Sequence, residues 1–572
     1  MHDLVIRNGR VVDGSGGPAR VADIAIDGDR ISAVGTVAEP GRREIDAEGL
    51  LVTPGWVDIH THYDGQATWD PDISPSSWHG VTTIVMGNCG VGFAPADPAP
   101  DRRAWLIQLM EGVEDIPGTA LDEGMTWNWE SFPEYLDELE RLPRVLDVSA
   151  LVPHGPVRAY VMGERGGHNA EATPEEIDRM AALVREAVEA GAVGFSTTRT
   201  LLHRAKDGEL AAGTTASADE LVGIGLALGE AGTGVFEVAS DMFDPEGEFA
   251  WMAKISRETG RPVTFGCLQD DIRPEHWRRL LDLSEEANAD GARIVPQVAG
   301  RPACLLLGFE STAHPFMFHE AYAPLAALPF AERIAELRKP EVRAAILGES
   351  GVIDGIAAFL SNFSKLYALG DPPEYEPAPS RSVAALAARD GRPANEVAYD
   401  LMLENDGHAL LYFPLLGYSY GDFGALREML LEPGTVLGLG DGGAHCGILC
   451  DASLPTYMIS HWARDRDRGD RLPLEQAVRL QTRQTAELYG FDDRGLLAPG
   501  YLADVNVIDF DALSIAAPEM VYDLPAGGRR LIQRASGYVA TVKRGVVVRE
   551  HDEPTGAHPG RLVRGPQPAP TV

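Results

Sequence analysis

The sequence contains two closely spaced histidines, His60 and His62, at the end of the apolar run LVTPGWVDIHTH. In an extended strand, residues two apart point to the same side, so both imidazoles would face one direction. Imidazole is the commonest metal ligand among side chains near neutral pH. A pair of ordinary core or surface histidines is the simpler alternative, but the position at the end of a predicted strand favours a shared metal ion.

The run that carries these histidines is the first of eight short apolar segments that predict strands. The other seven are TTIVMGNCG, LDVSALVPHG, AVGFSTTR, GVFEVAS, PVTFGCLQ, ARIVPQVA and VLGLGDGG. Most are followed by helix-like stretches that begin with Ser or Thr and end with Gly. Strands that alternate with helices predict a parallel sheet, and eight repeats predict an α/β fold with a closed (β/α)8 TIM-like barrel. Active sites of such barrels lie at the carboxyl ends of the strands, where the two histidines occur.

Both ends of the chain have the alternating pattern of short strands. Residues 1–55 and 491–552 are rich in Asn-Gly, Asp-Gly and Arg-Gly turns, and they predict a small β-sandwich domain built from both termini. Residues 56–490 would form the barrel. Roughly 135 residues separate its seventh and eighth strands, which predicts a long insertion at about 300–435 that covers the pocket and selects substrate. Residues 553–572, rich in Pro and Gly, predict an extended tail.

The composition argues against several classes of function. The 572 residues include 86 acidic and 49 basic ones, and a formal net charge of -37 repels nucleic acid and anionic membranes. No run approaches the roughly 18 apolar residues of a membrane span, and the N-terminus lacks the apolar core of a signal peptide. Five cysteines, an odd number, argue against a disulfide framework. We expect a cytoplasmic protein that acts on a small molecule, binds neither nucleic acid nor membrane, and forms a homo-oligomer.

Three segments together resemble the amidohydrolase superfamily, and specifically its N-acyl-D-amino-acid deacylase (D-aminoacylase) branch. They are GLLVTPGWVDIHTHYDGQATWDP, SSWHGVTTIVMGNCGVGFAP and GLGDGGAH. The terminal strands are similar to the split β domain that flanks the barrel in this superfamily, so the resemblance covers nearly the whole chain. It implies a metal-dependent hydrolase that cleaves a carbon–nitrogen amide bond in an N-acyl D-amino acid or a related N-acyl compound. The implied cofactor is a divalent metal ion, with Zn²⁺ as the first candidate.

The resemblance also implies roles for particular residues. His60 and His62 would be metal ligands from the first strand, and Cys89 of GNCG would be a thiolate ligand from the second, which suits zinc. Asp441 of GLGDGG would touch the metal, accept a proton from the attacking water and deliver it to the departing amine. The alternatives are a small buried hydrophobic residue at Cys89 and a turn residue at Asp441.

The sequence departs from the family pattern on three strands. The family has histidines at the ends of strands five and six that complete the metal site, and both are missing here. Cys267 lies about where the strand-six histidine would be, and it is a further candidate ligand. On strand five the possible substitutes are Glu237, Ser240 and Asp241. The fourth run has no lysine, so a carboxylated-lysine bridge cannot be built there, and the family's strand-six lysine is Gln269.

Several polar residues after the predicted strands are candidates for contact with the substrate. The main ones are His154, Arg199, His203 and His445. One arginine of this region could hold a substrate carboxylate with two hydrogen bonds, and the possibilities are Arg158, Arg199, Arg204 and Arg301. Each of these residues could equally serve as a structural hydrogen-bonding group. The remaining cysteines, Cys304, Cys446 and Cys450, are expected in the core.

Two other functions are compatible with the sequence. One is a hydrolase of the same fold that acts on a cyclic amide or another acyl compound, and the missing strand-four lysine counts against it. The other is a non-hydrolytic, metal-free binding protein, which the two missing histidines suggest. The metal content of the purified chain separates this last function from that of an enzyme.

Overall fold

The central part of the chain forms eight parallel strands within residues 1–349 and 355–571, which this computed structural model describes. They are β1 (Trp56–Asp58), β2 (Val81–Met86), β3 (Asp147–Ala150, continued by Val152–Pro153), β4 (Gly194–Arg199), β5 (Val235–Ser240), β6 (Val263–Gly266), β7 (Ile294–Val298) and β8 (Val436–Leu437). Each predicted apolar run contains one of these strands. They belong to two sheets, one from β1 to the first part of β3 and the other from its second part to β8. Beyond the ends of β1 and β8, a parallel bridge joins Thr61 to Gly442.

Helices connect most of the parallel strands, so the fold is of the mixed α/β class. The helices between β2 and β7 are Pro100–Glu114, Gly118–Gly124, Phe132–Arg141, His154–Met162, Glu164–Gly167, Pro174–Glu189, Ala218–Ala231, Pro245–Thr259 and His276–Ala289. Those after β8 are Leu454–Tyr457, Leu474–Leu480 and Arg483–Leu488, with the π-helix Met458–Asp465 between the first two. The start of Pro174–Glu189 shows why these segments are helical, because Thr173 and Glu176 form a reciprocal capping box.

Both ends of the chain contribute to one antiparallel-rich sheet. Its strands from the N-terminal end are His2–Val11, Arg20–Asp27, Arg30–Gly35, Gly41–Asp46 and Leu51–Pro54. Those from the C-terminal end are Val505–Ile508, Tyr538–Lys543, Val546–Glu550 and Glu553–Pro554. The two ends join where Leu51–Pro54 pairs antiparallel with Val505–Ile508. Two shorter antiparallel pairs, Ser514–Ile515 with Ala535–Ser536 and Glu519–Leu524 with Gly528–Ile532, lie between the C-terminal strands in the sequence.

The segment between β7 and β8 has a core of its own. Its antiparallel strands are Ala303–Leu307, Tyr367–Ala368 and Leu411–Leu416, and its helices are Phe330–Leu337, Pro340–Gly348, Gly355–Leu360, Val383–Asp390, Ala394–Met402 and Gly424–Leu431. Aromatic side chains, among them Phe309, Phe316 and Tyr399, are buried together in this unit. Residues 350–354 of the predicted insertion and residue 572 of the predicted tail lie outside the described residues.

Residues 561–563, near the C-terminal end, lie against β3. The N–H of Val148 donates to the carbonyl of Arg561 at 3.0 Å, and the N–H of Val563 donates to the carbonyl of Val148 at 2.7 Å. The side chain of Val563 is buried. The Pro and Gly content indicated an extended segment, but it could not indicate this contact. Within the described residues, no helix is both long enough and apolar enough to span a membrane.

A buried ionic cluster joins the start of β3 to the C-terminal strands. The Asp147 carboxylate lies 2.9 Å from Arg494, 3.0 Å from Lys543 and 3.2 Å from Arg544. Burial alone would raise the pKa of Asp147, but the three positive charges outweigh it and hold this pKa well below its ordinary value of 3.8. Asp147 therefore compensates cations that would otherwise repel one another inside the protein.

We expect Asp147→Asn to destabilise the fold by about 3 to 5 kcal/mol at pH 7, because it leaves buried cations without their shared anion. The measurement is urea unfolding. Since the pKa is lowered by folding, this contribution is present above about pH 4 and is lost as the pH falls further. The difference between the two proteins should therefore shrink below pH 4. Asp137→Asn, at an exposed ion pair with Arg564, is the control and should cost less than about 1 kcal/mol. Equal unfolding of both variants would contradict the expectation.

Candidate active site

Three potential metal ligands converge at the carboxyl ends of β1 and β2. His60 and His62 follow β1, and Cys89 follows β2, in a parallel sheet whose strand ends share one edge. The ligand atoms of all three side chains lie within 4.8 Å of one another, and all three residues are buried. The closest pair is Cys89 Sγ and His60 Nε2, at 3.3 Å. These three side chains therefore lie together at the ends of two adjacent strands.

Asp441 reaches the same point from the loop after β8. Its Oδ1 atom lies 3.4 Å from His60 Nε2 and 3.6 Å from His62 Nε2. The side chain is 22% exposed, so water can reach it. The backbone N–H of His62 donates to the Gly442 carbonyl at 2.8 Å, which fixes this loop against the end of β1. Asp441 is therefore the carboxylate that closes the cluster from the far side.

The groups around the cluster orient its side chains. Gln297 Oε1 on β7 lies 3.1 Å from His60 Nδ1 and accepts a hydrogen bond from its N–H, which leaves the Nε2 lone pair facing Cys89 and Asp441. The backbone N–H of Cys89 donates to Glu237 Oε2 on β5 at 2.9 Å. Glu237 therefore supports the cluster from the strand on which the family's histidine is missing.

Glu114 is one of four residues around the cluster that the sequence did not indicate, with Gln297, Asp58 and Asp64. It ends the helix Pro100–Glu114 and is buried. Its Oε1 lies 3.3 Å from His62 Nδ1, and its Oε2 lies 3.5 Å from His445 Nε2. In the sequence, Glu114 lies on the same helix face as the buried Leu106 and Met110, which indicates that its side chain is buried. This pattern does not indicate which side chains Glu114 contacts.

Among the residues that the structure describes, buried carboxyl groups outnumber cationic side chains around the cluster. Burial raises the pKa of Asp58, Asp64 and Glu237 to about 7, and burial reinforced by neighbouring carboxylates raises the pKa of Glu114 well above its usual range. Burial also lowers the pKa of His62 to about 4, so this imidazole is neutral near pH 7. Among the described residues, no Lys or Arg forms an ion pair with these carboxyl groups.

Three buried polar atoms of the cluster lack hydrogen-bond partners among the described residues. They are Asp58 Oδ2, His62 Nδ1 and Glu114 Oε2. Uncompensated buried groups of this kind are costly unless they face a charge of opposite sign. Two imidazoles, a thiol and surrounding carboxylates are the donors that a divalent transition metal prefers. The residues therefore fit a divalent metal ion.

The other candidate ligands from the sequence lie outside the cluster of His60, His62 and Cys89. Cys267 follows β6 and is buried, but it does not belong to the cluster of close ligand atoms, and burial raises the pKa of its thiol to about 12. Ser240 accepts a hydrogen bond from the N–H of Met242, and Asp241 accepts one from Thr200. Of the three strand-five candidates, Glu237 is the one that contacts the cluster.

Among the predicted substrate contacts, His203 and His445 lie beside the cluster. His203 Nδ1 shares a hydrogen bond with Thr198 Oγ1 at 3.0 Å. Burial, together with the nearby imidazole of His445, lowers the pKa of His203 to about 3. The side chain of His445 is 26% exposed.

The remaining predicted contacts are engaged within the protein. The ring nitrogens of His154 pair with Thr197 and Glu220, at 2.8 Å and 2.9 Å, and Glu220 also pairs with Arg158. Arg199 places its Nε 2.8 Å from both carboxylate oxygens of Glu248. Three further residues form hydrogen bonds within the protein: Arg204 with Gly208, Arg301 with Asp451, and Gln269 with Ser419. The remaining cysteines, Cys304, Cys446 and Cys450, are buried.

Comparison with known proteins defines the class of this one. A model of the amidohydrolase family matches residues 43–549, and the chain belongs to that family. D-aminoacylase of Alcaligenes xylosoxydans xylosoxydans is 28% identical over 571 residues, which cover 98% of this chain and 97% of the relative. N-acyl-D-glutamate deacylase of the same organism is 39% identical over 196 residues, 34% of this chain and 37% of that enzyme. A solved structure of D-aminoacylase, described by its binuclear metal centre, matches with a TM-score of 0.65 and 25% identity, over 99% of this chain and 100% of the other. The chain is an enzyme that acts on carbon–nitrogen bonds.

We expect the purified chain to contain at least one divalent metal ion, held through His60, His62 and Cys89. The double variant His60→Ala, His62→Ala should lose it, because one remaining thiol cannot hold the ion alone. The measurement is elemental analysis per chain on protein purified without chelator. The exposed pair His168→Ala, His551→Ala controls for nonspecific binding by imidazoles. Unchanged metal content in a folded His60→Ala, His62→Ala variant would rule out this site.

Proposed function

We propose that the chain hydrolyses the amide bond of an N-acyl D-amino acid and that it depends on a divalent metal ion, with Zn²⁺ as the first candidate. The observation that carries the proposal is the cluster of His60, His62 and Cys89 within 4.8 Å, with Asp441 closing it. The names of the relatives support the substrate class. A metal-free binding protein is disfavoured, since the buried carboxyl groups around two imidazoles and a thiol would then have to stay protonated.

We infer that the eight parallel strands close into one (β/α)8 barrel over residues 56–490. The Thr61–Gly442 bridge and the His62–Gly442 hydrogen bond support closure between β1 and β8. A β-sandwich domain would comprise residues 1–55 and 491–552, with residues 553–572 as an extended tail. Formation of a homo-oligomer and a cytoplasmic location stay predictions.

The metal, when bound, would polarise the acyl carbonyl and lower the pKa of water enough for attack near neutral pH. His60, held by Gln297, and neutral His62 present their Nε2 atoms to one point. Burial raises the pKa of the Cys89 thiol well above its usual value, so only a bound cation would make its thiolate stable. Asp441 takes a proton from the attacking water at Oδ1 and then transfers it to the nitrogen of the departing amine.

The substrate would enter between the strand ends and the insertion at about 300–435. Gln269 after β6 accepts a hydrogen bond from the N–H of Ser419 in the insertion at 3.0 Å, so the insertion is attached directly to the edge that holds the site. His203 and His445 would contact the substrate at the mouth. Because Gln269 replaces the family's lysine, we infer that the substrate carboxylate is recognised by groups outside this position.

We expect N-acetyl-D-amino acids to be hydrolysed with a kcat/KM at least ~100-fold above that of their L enantiomers, since only one enantiomer can place its amide and its carboxylate together in a chiral site. The measurement is release of acetate across a panel of matched D and L substrates. Protein stripped of metal and the His60→Ala, His62→Ala variant are the controls. Equal or preferential hydrolysis of the L series would contradict the assignment.

Asp441→Asn should lower kcat by about 10² to 10⁴-fold while the fold and most metal binding persist, because asparagine keeps the shape but cannot accept the proton. The measurements are kcat on a confirmed amide substrate, a thermal melt and metal content. Asp406→Asn is the matched control, since Asp406 is also an aspartate with a positive φ but lies in an exposed turn. A lowered melting temperature with a near-normal kcat would show that Asp441 is only a turn residue.

A further inference from the structure

An acidic pair at the end of the helix Pro100–Glu114 lies between the candidate metal ligands and the insertion. Asp115, the residue after Glu114, accepts hydrogen bonds at Oδ2 from the Thr312 hydroxyl at 2.7 Å and from the Gly447 N–H at 3.1 Å. Thr312 belongs to the insertion, and Gly447 belongs to the loop after β8. One carboxylate therefore joins three segments that are distant in the sequence.

The preceding residue, Glu114, contacts two imidazoles of the site. Glu114 approaches His62 Nδ1 at 3.3 Å and His445 Nε2 at 3.5 Å, one with each carboxylate oxygen. Its backbone carbonyl also accepts the N–H of His445. Among the described residues, His62 Nδ1 has no hydrogen-bond partner, and the Glu114 carboxylate lies within ion-pair distance of it. Glu114 is therefore the group available to fix the orientation of the His62 ring.

We propose that Glu114 is a positioning residue for His62 and His445, and that Asp115 couples it to the position of the insertion. The proposal rests on the metal-dependent function proposed above. A ligating histidine needs an acceptor at its second nitrogen, because this acceptor fixes the tautomer and the direction of the ligating lone pair. Gln297 accepts a hydrogen bond from His60, and the Glu114 carboxylate, 3.3 Å from His62 Nδ1, is placed to serve as the acceptor for His62.

The coupling follows from the covalent link between the two carboxylates. Asp115 has a left-handed backbone, with φ of 50°, and its side chain is held by Thr312 and Gly447. If the insertion moves away, Asp115 loses the Thr312 hydroxyl, and the adjacent Glu114 loses its fixed position. Closure of the insertion over a substrate would then be matched by correct orientation of the metal-ligating imidazole.

The first test is Glu114→Gln, followed by binding of Co²⁺. Glutamine keeps the shape but offers one acceptor instead of two, so one of the two imidazoles loses its partner. We expect Co²⁺ affinity, measured by competition with a chelator, to fall about 10 to 100-fold and the visible absorption bands of bound Co²⁺ to shift. Glu111→Gln is the matched control, because Glu111 lies on the same helix and pairs with Lys206 at the surface. Unchanged affinity and spectrum in a folded Glu114→Gln variant would overturn the proposal.

The second test is Thr312→Val, which removes the hydroxyl donor without touching the site. We expect a smaller shift of the Co²⁺ spectrum in the same direction and a higher KM. In the Glu114→Gln background the same substitution should have no further effect on the spectrum, because residues that act through one another are not additive. An identical effect in both backgrounds would overturn the coupling. If Glu114→Gln does not fold, an unchanged Co²⁺ spectrum in Thr312→Val overturns it alone.

The unsubstituted protein separates failure of this proposal from failure of the proposed function. If it binds no Co²⁺, or binds it equally well in the His60→Ala, His62→Ala variant, then the metal-dependent function is wrong and the positioning role fails with it. If binding requires both histidines and Glu114→Gln leaves it unchanged, the positioning role alone is wrong.

Discussion

The concentration of buried carboxyl groups around two imidazoles and a thiol is the constraint on which the rest of this structure depends. Asp58, Asp64, Glu114 and Glu237 lie where burial disfavours their charged forms, and the described residues bring no Lys or Arg to them. Such a group is stable only if its members stay protonated or if a cation joins them. A divalent ion satisfies this condition with the donors already present.

The strand arrangement brings these groups to one place, since parallel neighbours end at the same edge. The loops after the strands then hold three site residues in left-handed backbone conformations, which residues other than glycine rarely adopt. Cys89, Asp441 and His445 have φ values of 57°, 40° and 52°. Residues of this kind persist where surrounding contacts determine them, and such contacts are present, for example between Cys89 and Glu237 and between His62 and Gly442. These contacts within the fold therefore organise the site.

Sequence patterns could locate the strands and the residues that follow them, because periodicity and position along a strand are local properties. That was enough to bring His60, His62, Cys89 and Asp441 to one point, with help from the family resemblance. Local patterns do not show which partner a side chain meets across the fold. Glu114 was missed for this reason, and the same limit applies to His154, whose ring nitrogens meet Thr197 and Glu220 far along the chain.

The replacements on strands five and six are consistent with one another. Glu237 contributes a negative group beside Cys89 where the family has an imidazole, and Gln269 holds the insertion where the family has a cation. Both changes make the site less positive, so the demand for a bound cation increases and electrostatic attraction for a substrate carboxylate decreases. A substrate carboxylate would then have to be held by other groups, and the insertion is joined to the strand ends through Gln269. Recognition would therefore depend on the insertion more than on the strand ends.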